Sequence, residues 1–118
     1  MKTELQKRLV AFGVGVILLS KYIPEDSAIK HLYGQLIRSA TSPGLNYGEA
    51  QVAETRKDFI HKLGIVLKEL KETEINLEMI MQTGLCEDNS FFIKNLNECR
   101  ELIAIFTATI KTARKNAG

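Results

Sequence analysis

Tryptophan is absent from this chain, and proline and cysteine occur only twice each. So little proline, with 45% hydrophobic and 25% charged residues, excludes a Pro-rich or disordered class and points to one soluble globular domain over residues 1–118. Two cysteines, Cys86 and Cys99, cannot frame a disulfide scaffold and form no CxxC pair. A long hydrophobic run is lacking too. The most apolar stretch, Leu9 to Leu19, has eleven residues between Arg8 and Lys21, whereas a membrane span needs about 20. Nor does the N-terminus show the basic start, apolar run and small-residue cleavage site of a secretory signal. The expectation is a cytoplasmic protein with two free thiols and no membrane partner.

Catalytic signatures are missing as well. No GxGxxG, P-loop, HExxH or GxSxG occurs, and Gly13 and Gly15 follow no strand. Carboxylate metal bundles use two Glu-x-x-His elements, but His31 and His61 have no Glu three residues before them, and "DFIH" at Asp58 to His61 is a single near miss. The histidines read as surface or packing residues, Cys99 as packing, and no cofactor or metal is expected.

What is present is helical periodicity. Leu5, Leu9, Phe12, Val16, Leu19 and Ile23 advance by fours and threes, the spacing of one helix face, and Pro24 closes the segment. Within it, Gly13 and Gly15 weaken the helix unless another backbone comes close. After Asp26 or Ser27 as cap, Ile29, Leu32, Leu36, Ala40, Pro43, Tyr47 and Ala50 mark a second helix. Pro43 should bend this helix near Ser39, and it is read as one bent helix; the alternative is a break at Ser42 and Pro43, with Ser42 capping a new helix. Thr55, with Asp58 three residues on, starts a third through Phe59, Leu63, Val66, Leu70, Leu77 and Ile80. After "QTGLCEDNS", Ser90 is the candidate cap of a fourth, with Phe92, Leu96, Cys99, Ile103, Phe106, Ile110 and Ala113 inward. Four amphipathic helices with short connections predict an all-α, antiparallel up-and-down four-helix bundle, helices two and three being the longest.

The second helix carries another series beside its apolar one: Gln35, Ser39, Ser42, Asn46, Glu49 and Ala53. At 100° per residue these form a neighbouring stripe, and the third helix offers Asp58, Lys62, Ile65, Glu69, Glu72 and Asn76. Together with Arg38 they make a polar seam for helix pairing, for a subunit contact, or simply for solvent. Net charge is only +2, yet the last ten residues hold Lys111, Arg114 and Lys115 and no acid. Such cations complement a helix C-terminus and are also a candidate contact for RNA or DNA.

The runs "RSATS", "NYGEA", "DFIHKL", "KETEINLEMI" and "IKTARKN" make the chain, from about Leu5 to Asn116, strongly resemble the 23S rRNA intervening sequence proteins. This resemblance implies compact four-helix bundles assembling as ring-like homopentamers, and kinship with the accessory protein of diversity-generating retroelements, a basic pentamer that works with a reverse transcriptase and nucleic acid. Its signature falls on Arg38, Ser39, Ser42, Asn46, Glu49, Asp58 and Lys62, with no catalytic role attached. The combined expectation is a non-enzymatic, self-associating interaction scaffold whose protein partner is unidentified. The alternative is nucleic-acid binding through basic residues repeated around a ring.

Overall fold

The computed structural model describes residues 3–117, so the two ends of the 1–118 domain lie outside the described residues. The elements are α1 (Glu4–Ile17) with a 3-10 extension (Leu18–Tyr22), α2 (Ser27–Gln51), α3 (Arg56–Gln82) and α4 (Ser90–Ala117). There is no strand among the described residues. Successive helices pack side by side and reverse direction, and α1 also touches α4, giving the four-helix arrangement.

Local chemistry explains most boundaries. The Gln6 amide donates to Thr3 Oγ1 (3.0 Å), the Ile29 amide to Asp26 Oδ1 (3.0 Å) and the Asp58 amide to Thr55 Oγ1 (3.1 Å), three side-chain caps on orphan helix donors. Asp26, not Ser27, therefore caps α2. Gly84 takes φ +69° just beyond α3, a left-handed conformation that favours glycine.

Four sequence expectations need correction. The α-helical part of α1 stops at Ile17 and the chain tightens into the 3-10 extension before Ile23 and Pro24. Ser90 is not a cap: it is the first residue of α4, its amide and hydroxyl both donating to Asp88 Oδ1 (2.8 and 2.6 Å), while the Asn89 carbonyl accepts from the Ile93 amide (2.8 Å). At 28 residues α4 is longer than α2 (25) or α3 (27). On α4, Leu102 takes the fully buried position and Ile103 only packs against the core edge, because the inward direction falls between the two.

Pro43 neither ends nor divides α2, which runs unbroken from Ser27 to Gln51 with Pro43 buried inside it. Just past it, Asn46 Nδ2 donates to the Ser42 carbonyl (3.1 Å) and to Ser42 Oγ (2.9 Å), whereas the carbonyl that Pro43 deprives of its helical donor is that of Ser39, one turn earlier.

The core is apolar and continuous, with Leu36, Leu63, Val66, Leu70, Leu77, Ile80, Phe92, Leu102 and Phe106 fully buried. Each such side chain contributes about 1.5–3 kcal/mol of burial free energy. Phe106 meets Tyr47 edge-on, centroids 5.4 Å apart. Between α1 and α2, glycines bring backbone to backbone at van der Waals contact. A Cβ on Gly13 would lie 3.5 Å from the Ala40 carbonyl oxygen, and one on Gly44 would lie 3.8 Å from the backbone of Leu9 and Val10. Gln6 Nε2 donates to the Gly44 carbonyl (2.8 Å). The Tyr33 hydroxyl reaches the carbonyl oxygens of Val16 (2.9 Å) and Ile17 (2.6 Å) where α1 gives way to the 3-10 turn.

Gly34 sits inside α2, exposed, with open space where a Cβ would go. Gly34→Ala is expected to stabilise the protein by about 0.5–1 kcal/mol, whereas Gly44→Leu, which drives a side chain at the backbone of α1, should destabilise it by about 1–3 kcal/mol. Urea midpoints of the two variants check this; equal effects would contradict the close α1–α2 approach.

Candidate functional site

The polar seam lies where α2 packs on α3, and its members separate into three kinds. Arg38 extends over the joint and forks between Glu69 (3.0 Å) and Glu72 (2.8 Å), one turn apart on α3. Beneath it Ser39 is fully buried. Ser39 Oγ lies 2.9 Å from the Thr73 hydroxyl and 3.2 Å from the Leu36 carbonyl oxygen, Thr73 lies 2.8 Å from the Glu69 carbonyl oxygen, and Asn76 Nδ2 donates to Ser39 at 3.4 Å. Every buried hydroxyl there has a partner, as a dry helix joint demands. Nearer the α2–α3 turn, Lys62 pairs with Glu49 at 3.1 Å.

Other seam residues do not cross. Ser42 and Asn46 bond each other along α2, Gln35 reaches only His31 on its own helix (3.3 Å), and the exposed Asp58 contributes its amide to the Thr55 cap. Arg38, Ser39, Glu49, Lys62, Glu69 and Glu72 thus come together across the joint within one protomer.

The same device recurs at two other joints. Arg8 on α1 binds Glu98 of α4 through two bonds of 2.7 Å and lies 3.6 Å from Glu101, while Arg100 on α4 forks between Glu74 (3.0 Å) and Glu78 (3.2 Å) on α3. Each arginine meets two glutamates three or four residues apart on the neighbouring helix. Their sequence signal is a set of Glu pairs at helical spacing: Glu69/Glu72 belongs to the expected seam, while Glu74/Glu78 and Glu98/Glu101 lie outside it. Thr73 was missed because it interrupts an apolar series between Leu70 and Leu77.

The chemistry of these groups is structural. Hydrogen bonds from Arg38 hold the Glu72 carboxyl below the usual carboxylate range against the opposing effect of desolvation. Burial pushes the Cys99 thiol up to about 12, and its Sγ lies 3.2 Å from the Leu70 carbonyl oxygen; burial raises Cys86 as well. Neither thiol is a nucleophile at neutral pH. His31 and His61 are exposed, and among the described residues no group of three His, Cys, Asp or Glu side chains is placed to hold a metal ion.

Two surfaces remain. On α1, Val10 (44% exposed), Val14 (49%) and Ile17 (45%), with Leu18 (51%) at the start of the 3-10 extension, form an outward aliphatic stripe, and Leu45 on α2 is 70% exposed. Beside it a groove of about 790 Å³ opens between α1 and α4, with Gly15 and Leu18 on one wall and Asn95 and Glu98 on the other, and Tyr22 stacks on Phe91 at 5.0 Å. Lys111, Arg114 and Lys115 are exposed in the last turns of α4 and form no ion pair among the described residues. No helix among the described residues is long and apolar enough to cross a membrane.

The chain belongs to the 23S rRNA-intervening sequence protein family, whose model matches residues 1–108. Its fold is similar to the crystal structure of a protein with unknown function from the S23 ribosomal protein family of Bacteroides thetaiotaomicron. The two are 32% identical, with a TM-score of 0.81 over 91% of this chain and 98% of that one. No curated protein matches. The shared family settles the ancestry of the bundle and leaves its function open.

Because Glu72 is more acidic in the folded chain than in the unfolded one, its fork stabilises the fold above the ordinary carboxylate range and is lost as pH falls through the lowered value. Arg38→Met should therefore cost about 0.5–1 kcal/mol at pH 7, the scale of a solvent-accessible pair, and the gap to the parent should narrow as pH falls below the ordinary carboxylate range. Urea melts along a descending pH series measure it; a gap that does not change with pH would assign the loss to packing of the Arg38 stem. Thiol titration offers a second check: both cysteines should be inert in the native protein and reactive once urea unfolds it.

Proposed function

We propose that this protein is a non-enzymatic interaction scaffold that associates with copies of itself. The observation that carries this reading is the α1 stripe, where four aliphatic side chains at Val10, Val14, Ile17 and Leu18 stay about half exposed on a helix whose other face is buried. A lone exposed aliphatic is ordinary; a helical row of them is the mark of a covered face.

Charge favours a particular kind of pairing. Lys7 and Lys21 bound the stripe at its two ends. Two copies meeting α1 to α1 in antiparallel fashion would bring Lys7 against Lys21 of the other copy, and a parallel meeting would oppose each lysine to itself. A contact between two different faces avoids both, and such head-to-tail contacts close into rings when the rotation permits. The ring-like homopentamer implied by the family resemblance agrees with that preference. In this reading the polar seam shapes each protomer and the stripe joins protomers.

A second reading, RNA or DNA binding, draws support from Lys111, Arg114 and Lys115, exposed and without acidic partners among the described residues. Repeated around a ring, they would act with an avidity that one copy lacks.

Light scattering during size exclusion tests the scaffold. Five chains of 13.2 kDa would give about 66 kDa (5 × 13.2) for the parent. Val14→Glu with Ile17→Glu should shift the protein to the mass of one chain with its helical circular dichroism intact, since both side chains face outward. A parent that runs as a single chain, or a double variant that keeps the assembled mass, would refute self-association through this face.

A further inference from the structure

The ionisable side chains lining the groove between α1 and α4, apart from the Tyr22 phenol, are Lys21, Lys94, Glu98 and Glu101. Both glutamates are taken: Arg8 binds Glu98 through two bonds of 2.7 Å and lies 3.6 Å from Glu101. Lys21 and Lys94 are exposed and form no ion pair among the described residues. The acids nearest to them in sequence, Glu25, Glu87 and Asp88, lie outside the lining, and Glu25 holds Lys30 while Asp88 holds Ser90. The groove therefore offers uncommitted positive charge and no uncommitted carboxylate.

Side-chain bridges order this groove along its length, ascending positions on α1 meeting descending positions on α4. At one end stands the Arg8 fork. Midway, a Cβ on Gly15 would lie 2.8 Å from Asn95 Oδ1, so the Asn95 amide, whose Nδ2 donates to the Phe91 carbonyl oxygen (2.8 Å), passes α1 where glycine leaves room. At the other end Tyr22 stacks on Phe91, ring planes 20° apart. Lys21 adjoins Tyr22 in the chain and Lys94 follows Phe91 by about one turn, so the uncommitted cations belong to the aromatic end.

The rest of the lining is mostly apolar, with Phe12, Leu18 and Leu19 beside the small Ala11 and Gly15. At about 790 Å³ the groove falls within the range of small-molecule sites, about 300–1,000 Å³, which combine an apolar lining with a few placed polar groups. Phe91 stays exposed in spite of its stack, which leaves ring surface for a further aromatic group. The bridges at Arg8 and Gly15 interrupt the joint, which suits a compact molecule better than a third helix laid along it.

We infer that the α1–α4 groove is a binding site for a small aromatic carboxylate, its rings beside Leu18, Tyr22 and Phe91 and its acid group at Lys21 and Lys94. Charge selects the acid, because the two lysines lack a counter-charge and the groove's own glutamates are held by Arg8. The aromatic wall selects the ring. This site is separate from the polar seam and from the cations at the end of α4. Leu18 belongs both to the groove and to the aliphatic stripe, so a bound ligand sits at the edge of the face proposed for self-association.

Isothermal titration calorimetry of the whole chain with 2-naphthoate provides the test. One naphthoate should bind per chain, and 2-naphthalenemethanol, with the same rings and no charge, should bind about tenfold more weakly. Lys21→Gln with Lys94→Gln should weaken naphthoate about tenfold and bring the two probes to similar affinity. Phe91→Ser should weaken both probes alike. Lys57→Gln with Lys71→Gln, an equal change in charge on the exposed side of α3, should leave binding unchanged. All of these positions are exposed, so helical circular dichroism should be the same in every variant. Equal losses for the two lysine pairs, or equal affinity of the parent for both probes, would overturn the carboxylate site. Tighter binding of decanoate than of naphthoate would overturn the aromatic assignment. A parent that binds no naphthoate would overturn the site altogether, and binding restored in the Val14→Glu, Ile17→Glu variant would then identify a second copy of the chain as what fills the groove.

Discussion

The register between neighbouring helices is the constraint on which the rest of this bundle depends, and three arginine forks mark it. Arg38 joins α2 to α3, Arg100 joins α4 to α3, and Arg8 joins α1 to α4, each holding two glutamates on the neighbouring helix. Their energetic share is modest, because solvent-accessible pairs contribute about 0–1 kcal/mol while each fully buried Leu or Phe contributes about 1.5–3 kcal/mol. The core therefore supplies stability and the forks supply alignment. An amphipathic helix sliding by one turn still buries apolar surface, but it leaves a guanidinium opposite the wrong turn.

The joint between α1 and α2 works differently. No fork spans it, and the two backbones instead approach closely at Gly13 and Gly44, tied by Gln6 to the Gly44 carbonyl and by Tyr33 to the end of α1. On its α4 side, α1 lines the groove beside Gly15 and Leu18, and its Val10, Val14 and Ile17 face outward.

The surfaces proposed for assembly and for phosphate are chemically opposite and sit on different helices. An aliphatic row on α1 suits permanent burial against protein, while the exposed cations Lys111, Arg114 and Lys115 at the end of α4 suit a polyanion that comes and goes with ionic strength. The polar seam between α2 and α3 belongs to neither. Its buried hydroxyls and its fork are satisfied within one protomer, so residues that look like an exposed signature mainly define a helix joint.

Much of this was legible in one dimension, because a step of 100° per residue converts spacing directly into a face. Leu9, Phe12 and Val16, or Phe92, Leu96 and Cys99, could be placed inward without coordinates, and Thr55 could be placed as a cap from its amide-accepting hydroxyl. Pro43 was harder: its missing amide allows either a bend or a break, and only the structure shows α2 running on through a buried Pro43. Likewise Ser90 and Asp88 both offer cap chemistry, and the geometry of the turn chose how they bond. The sequence by itself determined the number of helices, their inward faces and the absence of familiar catalytic motifs, since these follow from local periodicity and composition. Which glutamates each arginine meets, which glycines admit a neighbouring backbone, and which hydroxyls bond across the α2–α3 joint were decided only by the tertiary structure, because these depend on the register of one helix against another.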